Sequence, residues 1–301
     1  MVTGDSAGAQ SAFIHAFIRA MPVVFVLIWS TGFIVARYGM PHAPPMTFLA
    51  FRFVFSILCF LPWIWFARVA WPSTRTQWWH LGVTGVLMHA CYLGGVWAAV
   101  KLGMGSGLSA LIVGLQPVLT AIWLSGSGAA VSRRQWTGLA LGFAGLCMVV
   151  SRKFGLGGEA NWQNLSLAVG ALVGITAGTL YQKRYVTACD VRTANVVQLG
   201  AAFLVTLPLA LLETEGMHWN AQLAGAMAWS VLALTLGGSS LLYLLIQRGA
   251  AASVTSLMYL VPPMTAFIAW LLFDEVITAA TIAGTLITVI GVSLVVRMPK
   301  K

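Results

Sequence analysis

Charge is what this chain has least of. Asp and Glu supply 7 of its 301 residues, and charged residues of all kinds only 8%. Soluble globular domains carry about 25% charged residues, so the scarcity excludes one of this length. The seven carboxylates, Asp5, Glu159, Asp190, Glu213, Glu215, Asp274 and Glu275, all fall in termini, loops or the ends of apolar runs. With none in the middle of a run, the chain lacks both a carboxylate proton relay and the buried acid expected of a protein that handles lipophilic cations. Cysteine is equally sparse. Cys59, Cys91, Cys147 and Cys189 show no CxxC spacing, which excludes a disulfide framework and reads as small apolar packing residues. There is no Gly-rich phosphate loop, nucleophile–base pair or metal-ligand cluster, so the sequence offers no catalytic site, no metal site and no cofactor.

What is abundant is apolar. Hydrophobic residues make up 59% and the mean hydropathy is +0.88. Ten mostly apolar spans can be marked near 21–38, 46–67, 79–101, 105–124, 135–151, 165–184, 194–212, 227–247, 251–273 and 278–297. Each is long enough, at about 1.5 Å per residue, to cross about 30 Å of hydrocarbon. The expectation is an all-α integral membrane protein with the lipid bilayer as its surroundings. The net charge of +10 does not point to nucleic acid, because the basic residues are scattered between spans rather than clustered. Arg19, Arg68, Arg75, Arg133, Arg134, Lys183, Arg184, Arg192, Arg248, Arg297, Lys300 and Lys301 fall on the side of the termini, against Arg37, Lys101, Arg152 and Lys153 on the other. This bias predicts cytoplasmic termini. Residues 1–20 lack a basic n-region, so they read as a cytoplasmic segment and not a cleaved signal peptide.

The second half repeats the first at an ungapped spacing of 146 residues. Gly32 lands on Gly178, Thr47 on Thr193, Pro62 on Pro208, Gly103 on Gly249, Pro117 on Pro263, Gly138 on Gly284 and Gly145 on Gly291. Glycine and proline do backbone jobs that other residues cannot, so these matches indicate one backbone template used twice, over 21–152 and 165–297. Five spans per copy is an odd number, so the copies must run inverted through the membrane, an arrangement typical of secondary transporters.

A central site should collect the polar groups near mid-span. His89 lies about ten residues into span 3 with Tyr92 one turn on; Thr235, Ser239 and Tyr243 form a stripe on span 8, with Thr235 at the position matching His89. Gln116-Pro117 and Pro262-Pro263 break spans 4 and 9 at corresponding depth, which makes these prolines candidate hinges and places Gln116 and Tyr259 beside the site. Trp29 completes the substrate-binding set. Arg52, about 9 Å from the outer end of span 2, is expected to snorkel outward, leaving the interior without a fixed charge. Phosphorylated cargo should need several buried cations, so elimination favours a neutral or zwitterionic one. Glycines of spans 5 and 10 read as close packing, with dimerisation second, and Asn164-Leu165-Ser166 fits a glycosylation sequon.

Ile28-Trp29-Ser30-Thr31-Gly32-Phe33, Phe51-Arg52-Phe53, Pro117 and Phe273-Asp274-Glu275-Val276-Ile277-Thr278 together resemble the EamA family of the drug/metabolite transporter superfamily, over residues 21–297. Within it the chain is similar to bacterial amino-acid exporters of the YddG type. The resemblance implies ten helices as two inverted five-helix bundles around a central cavity, and alternating-access export of small metabolites, with amino acids first, from the bacterial inner membrane by a monomer or weak dimer. It departs from the family at Ala129, which stands where Glu275 has its counterpart. A nucleotide-sugar carrier and a non-transporting sensor are the alternatives. Too few buried basic residues disfavour the first, and the absence of a domain outside the membrane disfavours the second.

Overall fold

The computed structural model describes residues 4–126, 132–153, 159–247 and 260–296, and regular structure among them is helical. α1 runs Gly4–Gly39, beginning well before the expected span at 21, and α2 runs Pro45–Phe66 with Pro44 and Pro45 setting its start. α3 spans Arg75–Lys101, and α4 runs as two segments, Ser106–Val113 and Gln116–Gly126. α5 is Arg133–Lys153, α6 Trp162–Tyr185 and α7 Val191–Leu211. α8 is continuous from Ala221 to Gln247, α9 begins the last described stretch as Val261–Phe273, and α10 is Ala279–Val296. Among the described residues six helical stretches are long and apolar enough to cross a membrane: Pro45–Phe66, Arg75–Lys101, Ser106–Trp123, Trp162–Tyr185, Val191–Leu211 and Ala221–Tyr243. The apolar stretches Val23–Gly39, Val261–Phe273 and Ala279–Leu294 are shorter.

Local chemistry repeats with the sequence. Thr74 caps α3 by accepting from Gln77 N, and Asn220, 146 residues later, caps α8 by accepting from Leu223 N. Both α3 and α8 also contain a π-helical stretch. That of α3 is Val86–Cys91, and shifting it by 146 gives 232–237, inside the Ser230–Ser239 stretch of α8. In α8 the wider turn is visible in side chains that bond five residues back, Thr235 to Ser230 O and Ser239 to Leu234 O.

The helices pair across the halves. α2 packs on α7, α4 on α9 and α5 on α10, while α3 packs on α6 and α1 on α8. Exchanging the halves, α1 for α6 through α5 for α10, maps this set onto itself. In the α5–α10 pair the small residues permit contact of backbones: a Cβ on Gly291 would lie 2.4 Å from Gly142 N. On the α3–α7 pair a Cβ on Gly85 would lie 2.1 Å from Gln198 O, so only glycine fits there.

Loops that the charge pattern assigns to one side meet one another. His218 N donates to His42 O at 2.8 Å, Asn164 Nδ2 to Leu102 O at 3.3 Å, and Lys101 pairs with Glu215. On this face two carboxylates of the second half cap helices of the first. Glu213 accepts from Met46 N and Thr47 N at the start of α2, and Glu275 accepts from Ser106 N at the start of α4 while pairing with Arg37. On the opposite face Thr193 donates to Ala70 O, and Arg192 lies over the Trp63 ring.

Two expectations are corrected. Arg52 does not snorkel; it is 4% exposed, and its Nε donates to Thr235 Oγ1 at 3.1 Å. Phe48, Leu49 and Phe53 around it are fully buried, so α2 packs on that side instead of opening toward water. Asn164 is no exposed sequon but a buried cap, reciprocally bonded with Asn161 in a capping box. Pro262 and Pro263 stand in the first turn of the described part of α9, and residues 248–259 before it lie outside the described residues. By contrast Pro117 follows a true break at Gly114-Leu115, and Pro262 Cγ packs against it, 2.8 Å from where a Gly114 Cβ would stand.

Candidate functional site

Between the halves lies a cavity of about 730 Å³, counted to its open mouth. Its wall is mainly apolar and aromatic, with Phe33, Met88, Leu93, Val96, Trp97, Leu234 and Leu242, and it is interrupted by a few polar groups.

Five expected residues meet there: Trp29 of α1, His89 and Tyr92 of α3, and Ser239 and Tyr243 of α8. Trp29 and Tyr92 stack nearly parallel, with ring centroids 6.4 Å apart. This face-to-face offset gives the cavity a flat aromatic wall. His89 presents its ring edge-on to Phe53 at 6.1 Å. Tyr243 Oη donates to Cys189 O at 3.2 Å, tying α8 to the loop before α7. The π-helical stretches account for the placement. His89 and Thr235 occupy matching positions within them, and a π turn rotates its side chains relative to an uninterrupted α-helix, a frequent device at functional sites.

Gln116 stands apart from this cavity. Its Nε2 donates to Thr179 Oγ1 at 3.0 Å, joining α4 to α6. Tyr259 lies outside the described residues. Among the described residues, α4 and α9 contribute nothing to the lining, which comes from α1, α2, α3, α6, α7 and α8.

Sequence reasoning missed Arg52 as an inward group, and with it Gln182, Asn195 and Gln198. Arg52 is held by Thr235 and lies with its guanidinium 6.0 Å from the Trp97 ring centroid. Asn195 Nδ2 donates back to Val191 O at 2.7 Å, which fixes its oxygen away from its own helix. Gln198 is 5% exposed, and its Nε2 has no hydrogen-bond partner among the described residues. The readable signal was the amide pair at i and i+3 within an otherwise apolar span, since two amides on one helical face seldom point to lipid. No cluster of His, Cys, Asp or Glu among the described residues could hold a metal.

The comparisons fit this arrangement. An uncharacterized transporter, YvbV of Bacillus subtilis, is 25% identical over 90% of this chain and 88% of its own. The uncharacterized inner membrane transporter YedA of Escherichia coli is 25% identical over 78% of this chain and 76% of its own. A probable amino-acid metabolite efflux pump of Salmonella typhimurium is 24% identical over 90% and 92%. A protein of known crystal structure superposes with a TM-score of 0.67 at 15% identity, covering 91% of this chain and 95% of that one, and so shares its fold. The profile of the EamA-like transporter family matches residues 18–151 and again residues 163–297; on that match the chain belongs to the EamA-like transporter family.

Proposed function

We propose that this chain is an inner-membrane exporter of small neutral or zwitterionic metabolites, amino acids foremost, working by alternating access as a facilitator. One observation carries the reading: a cavity built from both halves, aromatic on one wall and polar at a few points, with no carboxylate among its described lining residues. A site of that kind suits a cargo with dipoles and an apolar body, and it offers no acid to couple uptake to protons. Ten helices as two inverted repeats, 21–152 and 165–297, with both termini cytoplasmic, are the architecture that this reading uses. The set of helix pairings, unchanged when the halves are exchanged, supports it. So does the recurrence of capping and π turns at the 146 spacing. The printed name of the Salmonella relative supports amino acids as the cargo class.

In this reading Trp29, His89, Tyr92, Ser239 and Tyr243 contact cargo, and Tyr259 is kept as a candidate on sequence grounds. Gln116, bonded to Thr179, steadies the break in α4. Pro117, with Pro262 and Pro263, forms the hinge about which the halves rock, because Gly114 beside the break rests on Pro262.

Counterflow of radiolabelled amino acids in liposomes, with and without an imposed pH difference, tests the function. We expect exchange that the pH difference hardly changes, and a several-fold slower rate in Pro117→Ala with normal insertion. Strong uphill accumulation driven by protons would replace the facilitator with an antiporter, and transport confined to cations or phosphorylated compounds would overturn the cargo assignment.

A further inference from the structure

Arg52 meets no counter-charge among the described residues. Its Nε is taken by Thr235, and no acceptor among the described residues meets its two terminal nitrogens. Seven carboxylates exist in the whole sequence, and six have described positions elsewhere. Glu275 is paired with Arg37, Glu215 with Lys101 and Asp190 with Arg192. Glu213 caps α2, Glu159 stands beside Gly105 and Asn164, and Asp274 ends α9 at an exposed position. Asp5 belongs to the first turns of α1, upstream of the apolar span. A buried guanidinium with no anion is costly, and a membrane interior makes the cost larger.

In the same cavity is a second donor without a partner among the described residues, Gln198 Nε2, on a side chain that is itself more than nine-tenths buried. Most of the rest of the lining is apolar and aromatic, with His89, Gln182, Asn195 and Ser239 as its other polar groups. Two such donors, one of them cationic, facing a mainly apolar cavity make a half-site whose missing element is an acceptor carrying one negative charge. A carboxylate matches the fork of a guanidinium and can take a further bond from an amide N–H.

We propose that Arg52 and Gln198 bind the carboxylate of the cargo, and that the aromatic wall of Trp29 and Tyr92 takes its apolar body. The inference rests on the export reading above and shifts its cargo class from neutral or zwitterionic compounds to zwitterionic and monoanionic carboxylates. The carboxylate is the recognised charge, whereas the amino group meets no acidic partner among the described lining residues. Monocarboxylates lacking the amine therefore belong to the cargo class, and amides and esters of amino acids do not.

The test uses wild-type protein in detergent or liposomes, with phenylalanine, phenylalaninamide and 3-phenylpropionate as competitors at two chloride concentrations. Phenylalanine and 3-phenylpropionate should compete within a few-fold of each other, and the amide at least about 10-fold more weakly, the size of a lost charge-assisted hydrogen bond. Arg52→Gln should erase the difference between acid and amide, and Gln198→Leu should reduce it while leaving the charge in place. If acid and amide compete equally in the wild type, the anchor is wrong and the export reading stands. Equal competition that chloride weakens also overturns the anchor, making Arg52 a site for inorganic anions. If 3-phenylpropionate binds and phenylalanine does not, the anchor stands and the amino-acid assignment falls. Binding of neither overturns both.

Discussion

Gly85→Ala is expected to lower the stability of the protein by about 3 kcal/mol, near the upper end of the usual overpacking penalty. The added methyl would stand 2.1 Å from Gln198 O and 2.5 Å from Gln198 Cα, and neither atom can swing aside because both belong to the α7 backbone. α3 and α7 must therefore separate by more than 1 Å to reach ordinary contact. Their separation reaches the cavity directly, since α3 carries His89 and Tyr92 and α7 carries Asn195 and Gln198. Transport should fall with stability. Gly200→Ala is the control on α7, the helix that Gly85 faces: nothing lies within 4 Å of its added methyl, so helix propensity alone acts and the variant should be as stable or slightly more so. Thermal unfolding of the two purified variants beside the parent decides the matter, and equal midpoints for Gly85→Ala and Gly200→Ala would refute the close contact.

Glu275→Ala should act at the face bearing the α1–α2 loop. The carboxylate, 7% exposed, pairs with Arg37 and accepts from Ser106 N at 2.9 Å. Its loss removes an ion pair and the cap of α4 together. Arg37 is half-buried and recovers some water, so the cost should lie nearer about 2 kcal/mol than the 3–5 kcal/mol of a fully enclosed pair. Glu275→Gln retains an oxygen for Ser106 N and should lose less. A single cysteine placed at Ser106, which is fully buried, should become reactive to a polar maleimide in Glu275→Ala and stay protected in the parent. Protection in both would show that this contact does not hold the face closed. The first half has no counterpart of this device, because Ala129 occupies the matching position.

The repeat was legible because its markers are residues whose backbone roles cannot be taken over by others. Pro62 and Pro208 lie inside the paired helices α2 and α7, and the caps Thr74 and Asn220 obey the same spacing. Five of the seven expected site residues meet in one cavity because mid-span polarity on α1, α3 and α8 has nowhere else to go. Direction was harder to read. Hydropathy records how deep Arg52 sits but not which way its long side chain turns, and the atom that decides it, Thr235 Oγ1, is 183 residues away. Gln116 stands apart from this cavity for the same reason, since its partner Thr179 belongs to the other half. The sequon at Asn164 misled because a triplet says nothing of burial. The π stretches left no mark in residue spacing, as an i to i+5 turn needs no particular residue type.

Those π stretches have one further consequence. A π turn stores one residue more than the α turn it replaces, like a dislocation held in a crystal row. Moving that surplus residue one place along α3 would swing the residues it passes by about 100° around the helix axis, with the ends of the helix unmoved. α3 and α8, capped at Thr74 and Asn220, each hold such a dislocation at the depth of His89 and Thr235. The protein thus has two ways of re-aiming side chains in its cavity that require no tilting of a bundle. Amides of 86–91 and 230–239 should then exchange hydrogen faster than those of 92–100, and equal protection would mean that the dislocations are pinned.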